Sequence, residues 1–565
     1  MRRSWKKALA VLTTTALTAS MLAACGGGKD ETTAANSGAG KEETTKVETE
    51  TTAADKGTTA ADTQASATPT EVTYPLEKGE KITYWVQLNG NASANYTNLG
   101  DTEFGKALKE QTGIDVEFQH PAAGQEKEQF NLIIADGNLP DIMEYQWVKG
   151  YPGGPEKAIR DGVIIPLNDV IDKYCPNLKA FLAEHPEFDK MIKTDDGHYY
   201  AFPFLRGEEK LCVNVGGFIR QDWLDELGLE VPTTIDEWHT VLTAFKEKKG
   251  AEAALCFDWA NFKDKNQIIF AYDTSYTYYV GEDGKVHYGP MEDNFKDYLT
   301  TMHQWYQEGL LDKDMASLNG DQVISKMTTD KAGASVGWAA SRMQVCMTTA
   351  QKSNPNYTLA ATPFPSLEKG KAPKMGFIEN AFPDVSAAIT TKCKDVERAA
   401  RLLDYAYGEA GHNLYNFGVE GVSYEMKDGI PTYTDIVLNN PDGWPLAQSM
   451  AKHIRGSYNG PFVQDGRYIE QYLQLPTVKE CPTTWYVEGA NKYNLPNVTP
   501  LQDESKELAT LNNEITTYVD EMVLKFILGT ESLDNWDTYV NTIKGMNIDR
   551  ALEIYNGALD RYNAR

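Results

Sequence analysis

Several tryptophans in this chain stand beside planar polar groups. Trp85 shortly precedes Asn89 and Asn91, Gln146 adjoins Trp147, Asp258 adjoins Trp259, and Gly337-Trp338 is followed by Arg342. Gly443-Trp444 and Trp485-Tyr486 complete the set. An aromatic ring next to an amide, carboxylate or guanidinium group suits a sugar, which offers an apolar C–H face and a rim of hydroxyls. Any one of these rings fits a core position equally well; together they point to a binding site. The chain has no GxxxxGK[ST] or HExxH run, and its 8 histidines are scattered, with none at metal-ligand spacing. A glycosidase needs only two well-separated carboxylates. A secreted carbohydrate-active enzyme therefore stays open at this point, as does a binding protein for a peptide or other small solute.

Composition narrows the partners. With 81 acidic against 54 basic residues the formal charge is -27, which argues against nucleic acid, a ligand held by basic patches. The 7 cysteines include Cys25 near the N-terminus. The remaining six have apolar neighbours, as in Leu211-Cys212-Val213 and Leu255-Cys256-Phe257, and no CxxC pair occurs. They read as buried free thiols.

The N-terminus reads as an export signal. Arg2, Arg3, Lys6 and Lys7 precede an uncharged, mostly apolar run from Ala8 to Ala24. Leu22-Ala23-Ala24-Cys25 resembles the lipobox of bacterial lipoproteins, in which the signal is cut before the cysteine. Residues 1–24 are then a signal peptide and Cys25 the lipid attachment point, held stably when more than one acyl chain is present. From Gly26 to about residue 75 small polar and charged residues dominate, the composition of a disordered tether. No second long apolar run follows, so the chain does not itself form a pore.

About 490 residues remain to position the binding groups, enough for two lobes with cores of their own. Ile82, Tyr84, Val86 and Leu88 alternate along a first strand that Asn89-Gly90-Asn91 ends. A helix around Phe104 to Gln111, stopped by Gly113, and a strand at Ile114 to Phe118 follow, the start of an α/β lobe with a parallel sheet. Thr234 with Glu237 forms a capping box before the apolar stripe Trp238, Val241, Leu242 and Phe245. Phe295 to Tyr306 and Val396 to Tyr407 repeat the helical spacing, and from Glu507 onward the chain reads as mostly helical.

Ile134-Ala135-Asp136-Gly137-Asn138-Leu139-Pro140-Asp141-Ile142 resembles a signature of family 1 extracellular solute-binding proteins, the receptors of carbohydrate ABC importers. Asp161 to Leu167, Gly197 to Pro203 and Ile219 to Asp225 follow in that family's order. Trp223 to Phe245, Tyr306 to Asp312 and Asn416 to Gly421 are similar to its LplA-like lipoprotein subfamily. The resemblance covers about residues 81–562. It implies a two-lobe periplasmic-binding-protein-like α/β fold, type II-like, with one lobe at 80–205 plus 375–420 and the other at 206–374 plus 421–565. Further implications are a monomeric, non-enzymatic receptor on the outer face of the cytoplasmic membrane, a permease and a cytoplasmic ATPase as partners, and closure of the lobes on a carbohydrate. Trp85, Trp147, Trp259, Trp338 and Trp485 are the expected stacking residues. Asn89, Gln146, Arg206, Asn214, Arg342 and Glu379 are their expected polar partners. Many relatives carry a calcium loop after the helix matching Trp238–Phe245. Lys246-Glu247-Lys248-Lys249 lacks the alternating oxygen ligands such a loop requires, so no calcium is expected there, and no cofactor is implied.

Overall fold

The computed structural model describes residues 72–455 and 460–565; the expected signal peptide, Cys25 and nearly all of the tether lie outside them. Nine short strands build two sheets: β1 (Ile82–Trp85), β2 (Val116–Gln119), β3 (Ile142–Tyr145), β4 (Phe202–Pro203), β5 (Val215–Arg220), β6 (Ala253–Leu255), β7 (Ala332–Trp338), β8 (Leu359–Thr362) and β9 (Ser386–Ile389). The first sheet has the order β2-β1-β3-β9-β4, the second β8-β5-β7-β6. In the first, β1 runs parallel to β2 and β3, while β9 is antiparallel to β3 and β4. This is the two-lobe α/β architecture that the resemblance implies.

Each sheet has its own core. Helix Glu103–Thr112 begins at Thr102, whose hydroxyl accepts the Gly105 N–H, and ends at left-handed Gly113; its Phe104 and Leu108 join Ile82, Phe130 and Ile142 beneath the first sheet. In the second lobe Trp238, Leu242 and Phe245 pack with Phe218, Leu255 and Val336. The Thr234 hydroxyl accepts the Glu237 N–H at 3.2 Å. Glu237 answers one residue further out than the usual capping box, accepting the Thr233 N–H at 2.9 Å. The long C-terminal helix Gln502–Leu528 packs on Asp293–Gln307.

Three segments pass side by side between the lobes. Leu205–Arg206 pairs in parallel with Val463–Gln464, the Arg206 N–H donates to the Ala381 carbonyl at 2.9 Å, and the Phe204 N–H donates to Val385 at 2.9 Å. Asn494 and Asn497 brace the segment 378–385 by donating side-chain N–H groups to the Ile378 and Phe382 carbonyls at 2.5 and 2.7 Å.

Two boundaries differ from expectation. Residue Tyr74, expected in the tether, donates its hydroxyl to the Arg401 carbonyl at 2.7 Å and packs edge-on against Tyr405 at 4.9 Å. The stretch 424–454, expected with the second lobe, attaches to the first: helix Leu446–His453 contacts Gly90–Ser93 and Glu103–Thr112. Arg455 pairs with Glu144 of β3 at 2.9 Å, both side chains buried. The six cysteines of the described residues are free thiols, five of them buried.

Candidate binding site

A cavity of about 550 Å³ opens at the crossing segments, beyond the carboxyl ends of β1 and β7, where open α/β sheets place ligands. From the first lobe comes Asn89, the cap of Gly90–Ser93, whose side chain accepts the Asn91 N–H at 2.8 Å. From the second comes Trp338, the last residue of β7, partly exposed and edge-on to Phe262 at 4.7 Å. Its chain continues directly into a wide, i→i+5 helical turn, Ala339–Gln344, a form that often marks functional positions. The Ala339 N–H donates to the Asn214 carbonyl at 3.1 Å, fixing Trp338 beside Asn214.

The crossing segments supply the polar centre. Arg206, 5 % exposed, donates Nη1 to the Asn380 carbonyl at 2.7 Å and forms an ion pair with Glu379 through Nη2. The same carboxylate accepts from Asn214 Nδ2 at 3.1 Å. Around this centre Arg206 Nε, Asn214 Oδ1 and Gln464 Oε1 are buried without a hydrogen-bond partner. All three atoms are closed off from solvent, while the Glu379 side chain keeps 24 % of its surface exposed. Lys210, at the rim, pairs with Glu470 at 2.9 Å and Glu208 at 3.2 Å; despite partial burial these carboxylates raise its pKa above the ordinary lysine value.

A second cavity, about 740 Å³, shares Arg206 and Glu379 with the first and carries Tyr278, Tyr279, Phe377 and Tyr493.

Of the sequence-expected residues, Asn89, Arg206, Asn214, Trp338 and Glu379 meet at the first cavity. The others do not. Trp85, 3 % exposed, packs against Phe130 and Tyr145 at 6.1 and 5.9 Å, because β1 is a central strand covered on both faces. Trp147 is fully buried and edge-on to Phe130 at 5.4 Å. Trp259 is wedged between Phe257 and Tyr276, each at 6.0 Å. Trp485 is fully buried and donates its indole N–H to the Gly217 carbonyl at 2.9 Å. Gln146 is exposed and lines neither cavity. Arg342, 4 % exposed, stacks over Phe262 at 5.5 Å outside the cavity, where burial depresses its pKa.

Sequence reasoning missed Gln464, Ile469, Tyr472 and Leu473. Only Tyr468 and Tyr472, at helical spacing, gave any signal; Gln464 sits in a two-residue strand whose partner is far away in the chain.

The sequence model of one family, described as bacterial extracellular solute-binding protein, matches residues 91–413. The fructooligosaccharide ABC transporter substrate-binding protein FusA of Streptococcus pneumoniae serotype 4 (strain ATCC BAA-334 / TIGR4) is 24% identical over 526 residues, covering 87% of this chain and 92% of that protein. The lipoprotein LipO of Bacillus subtilis (strain 168) is 27% identical over 355 residues, 59% of this chain and 66% of LipO. Among solved structures, the alginate-binding protein AlgQ2 without calcium ion superposes with a TM-score of 0.68 at 27% identity, over 87% of this chain and 100% of that one.

Proposed function

This chain belongs to the bacterial extracellular solute-binding protein family, whose model spans residues 91–413, and from that premise we propose that it is the substrate receptor of an ABC importer, capturing an oligosaccharide or glycoside in the cavity at the lobe crossings. The observation that carries this reading is the combination of a partly exposed Trp338 ring with the polar side chains of Asn89, Asn214 and Glu379 in the lining of one cavity. A ring platform flanked by amide and carboxylate groups is what a polyhydroxylated ring engages. FusA, a fructooligosaccharide-binding protein, and AlgQ2, an alginate-binding protein, point the same way.

In this reading the work is binding and closure without catalysis. Asn89 belongs to one lobe and Trp338 and Asn214 to the other, so a ligand touching all three gains contacts only when the lobes come together on the three crossings, and it shifts the population toward the closed form. A permease coupled to a cytoplasmic ATPase then takes the sugar from the closed receptor. Cys25, acylated, holds the protein at the outer face of the membrane. Among the described residues no helix is long and apolar enough to cross a membrane.

The test is a melting screen of the purified protein against neutral and acidic mono- and oligosaccharides, with product analysis of each mixture. A ligand at 100 times its Kd adds about 2.7 kcal/mol of stability. A stabilising glycan recovered unchanged is expected; hydrolysis lost on a single carboxylate substitution, or stabilisation by peptides and by no sugar, overturns the reading.

A further inference from the structure

We infer that the cavity selects neutral sugar units over uronates, an inference that deepens the receptor reading and rests on it. The reasoning begins with cations. Among the described residues the first cavity is lined by two, Arg206 and Lys210, and both are engaged: Arg206 by Glu379, Lys210 by Glu208 and Glu470. A ligand carboxylate would find no free cation on this wall and would lie near the Glu379 carboxylate. Like charges brought together at an interface cost several kcal/mol.

The hydrogen bonds around the ion pair agree. A carboxylate can only accept, so Asn214 turns Nδ2 toward Glu379, where it lies 3.1 Å from Oε2. Glu379 keeps 24 % of its side chain exposed, and a ligand hydroxyl can donate to it, whereas an ionised ligand carboxylate, which only accepts, sets its oxygens against it.

Calorimetric titration of the purified protein tests this, comparing xylo-, galacto-, gluco- and fructo-oligosaccharides with oligogalacturonates, oligoalginates and glucuronate-substituted xylo-oligosaccharides of equal length. The expected result is one neutral series that binds about 100-fold or more tighter than its uronate counterpart. Equal or tighter binding of uronates overturns the inference and leaves the receptor reading standing. No binding of either class by folded protein overturns the receptor reading and the inference with it. Glu379→Gln, which releases Arg206, narrows the gap; an unchanged gap in a variant with a normal melting curve also overturns the charge argument.

Discussion

Trp485 and Gly217 are joined by an indole N–H to carbonyl hydrogen bond of 2.9 Å, across 268 residues of chain. The same ring covers Gly216, where a Cβ would stand 2.4 Å from it. The tryptophan thus secures β5, the strand that leads out of Asn214, and serves the site by holding its floor. Trp485→Ala is expected to cost about 3–5 kcal/mol of stability, read from denaturant melts. A variant that kept its midpoint but lost ligand would show that the ring meets the ligand instead.

Trp338 is the opposite case. Its ring lines the cavity partly exposed and lies edge-on to Phe262 at 4.7 Å. Trp338→Ala should weaken the best ligand of the melting screen at least about tenfold while lowering stability less than Trp485→Ala does. Titration calorimetry beside a melt of each variant separates the two effects, and equal affinity would remove Trp338 from the site.

The Glu144–Arg455 pair makes a stability prediction with a built-in control. Both side chains are almost fully buried, and the Tyr84 hydroxyl donates to the same carboxylate at 2.8 Å. Arg455→Met leaves a buried carboxylate without its cation and should cost about 3–5 kcal/mol. Combining it with Glu144→Gln should restore much of that loss, because an uncharged buried pair carries no unpaired charge. Additive losses in a double-mutant cycle would contradict this coupling.

Three buried groups, one imidazole against two carboxyls, pull the pH dependence in opposite directions. Burial, with Lys452 beside it, holds the His453 imidazole down to about 4 from 6.5. Between those values the unfolded chain binds a proton that the native protein refuses, so the stabilisation is complete above pH 6.5 and is lost as pH falls toward 4. Burial pushes the Asp384 carboxyl up to about 7 and Asp404 up to about 6, both from 3.8. These native carboxyls keep protons that the unfolded chain has released, so their contribution is present below pH 3.8 and is lost as pH rises through 6 to 7. His453→Leu removes an acid-side loss of about 3 kcal/mol. Its stability should therefore fall more steeply than the wild type's from pH 4 to 7; an identical profile in melts across that range would refute the assignment.

The elements that local chemistry defines were readable in advance. Gly113 closes helix Glu103–Thr112 in the left-handed conformation, Thr234 caps helix Ile235–Lys249, and the strand, helix, strand opening gives the parallel β1-β2 pair. Arg206, Asn214, Trp338 and Glu379 were also legible, since they stand next to strands or crossings. Trp85 was not, because period-2 alternation identifies a strand but leaves its second face undefined, and in β1 both faces are covered; Trp147, Trp259 and Trp485 stand on or beside four-residue helical turns, too short for a sequence period to reveal the buried face. Gln464 escaped for a different reason. Its place depends on pairing with Arg206 from far along the chain, and no local pattern encodes so distant a partner.

The docking of Tyr74 has a mechanical consequence. Its hydroxyl is held by the Arg401 carbonyl and its ring by Tyr405, both on helix Val396–Tyr405 of the first lobe. Any tension arriving along the chain from the N-terminal side therefore enters the fold through that lobe and ends there. The second lobe, which carries Trp338 and Asn214, meets the first at the crossings and at the Arg561 and Arg565 ion pairs with Asp195, and lies outside the path that this load takes.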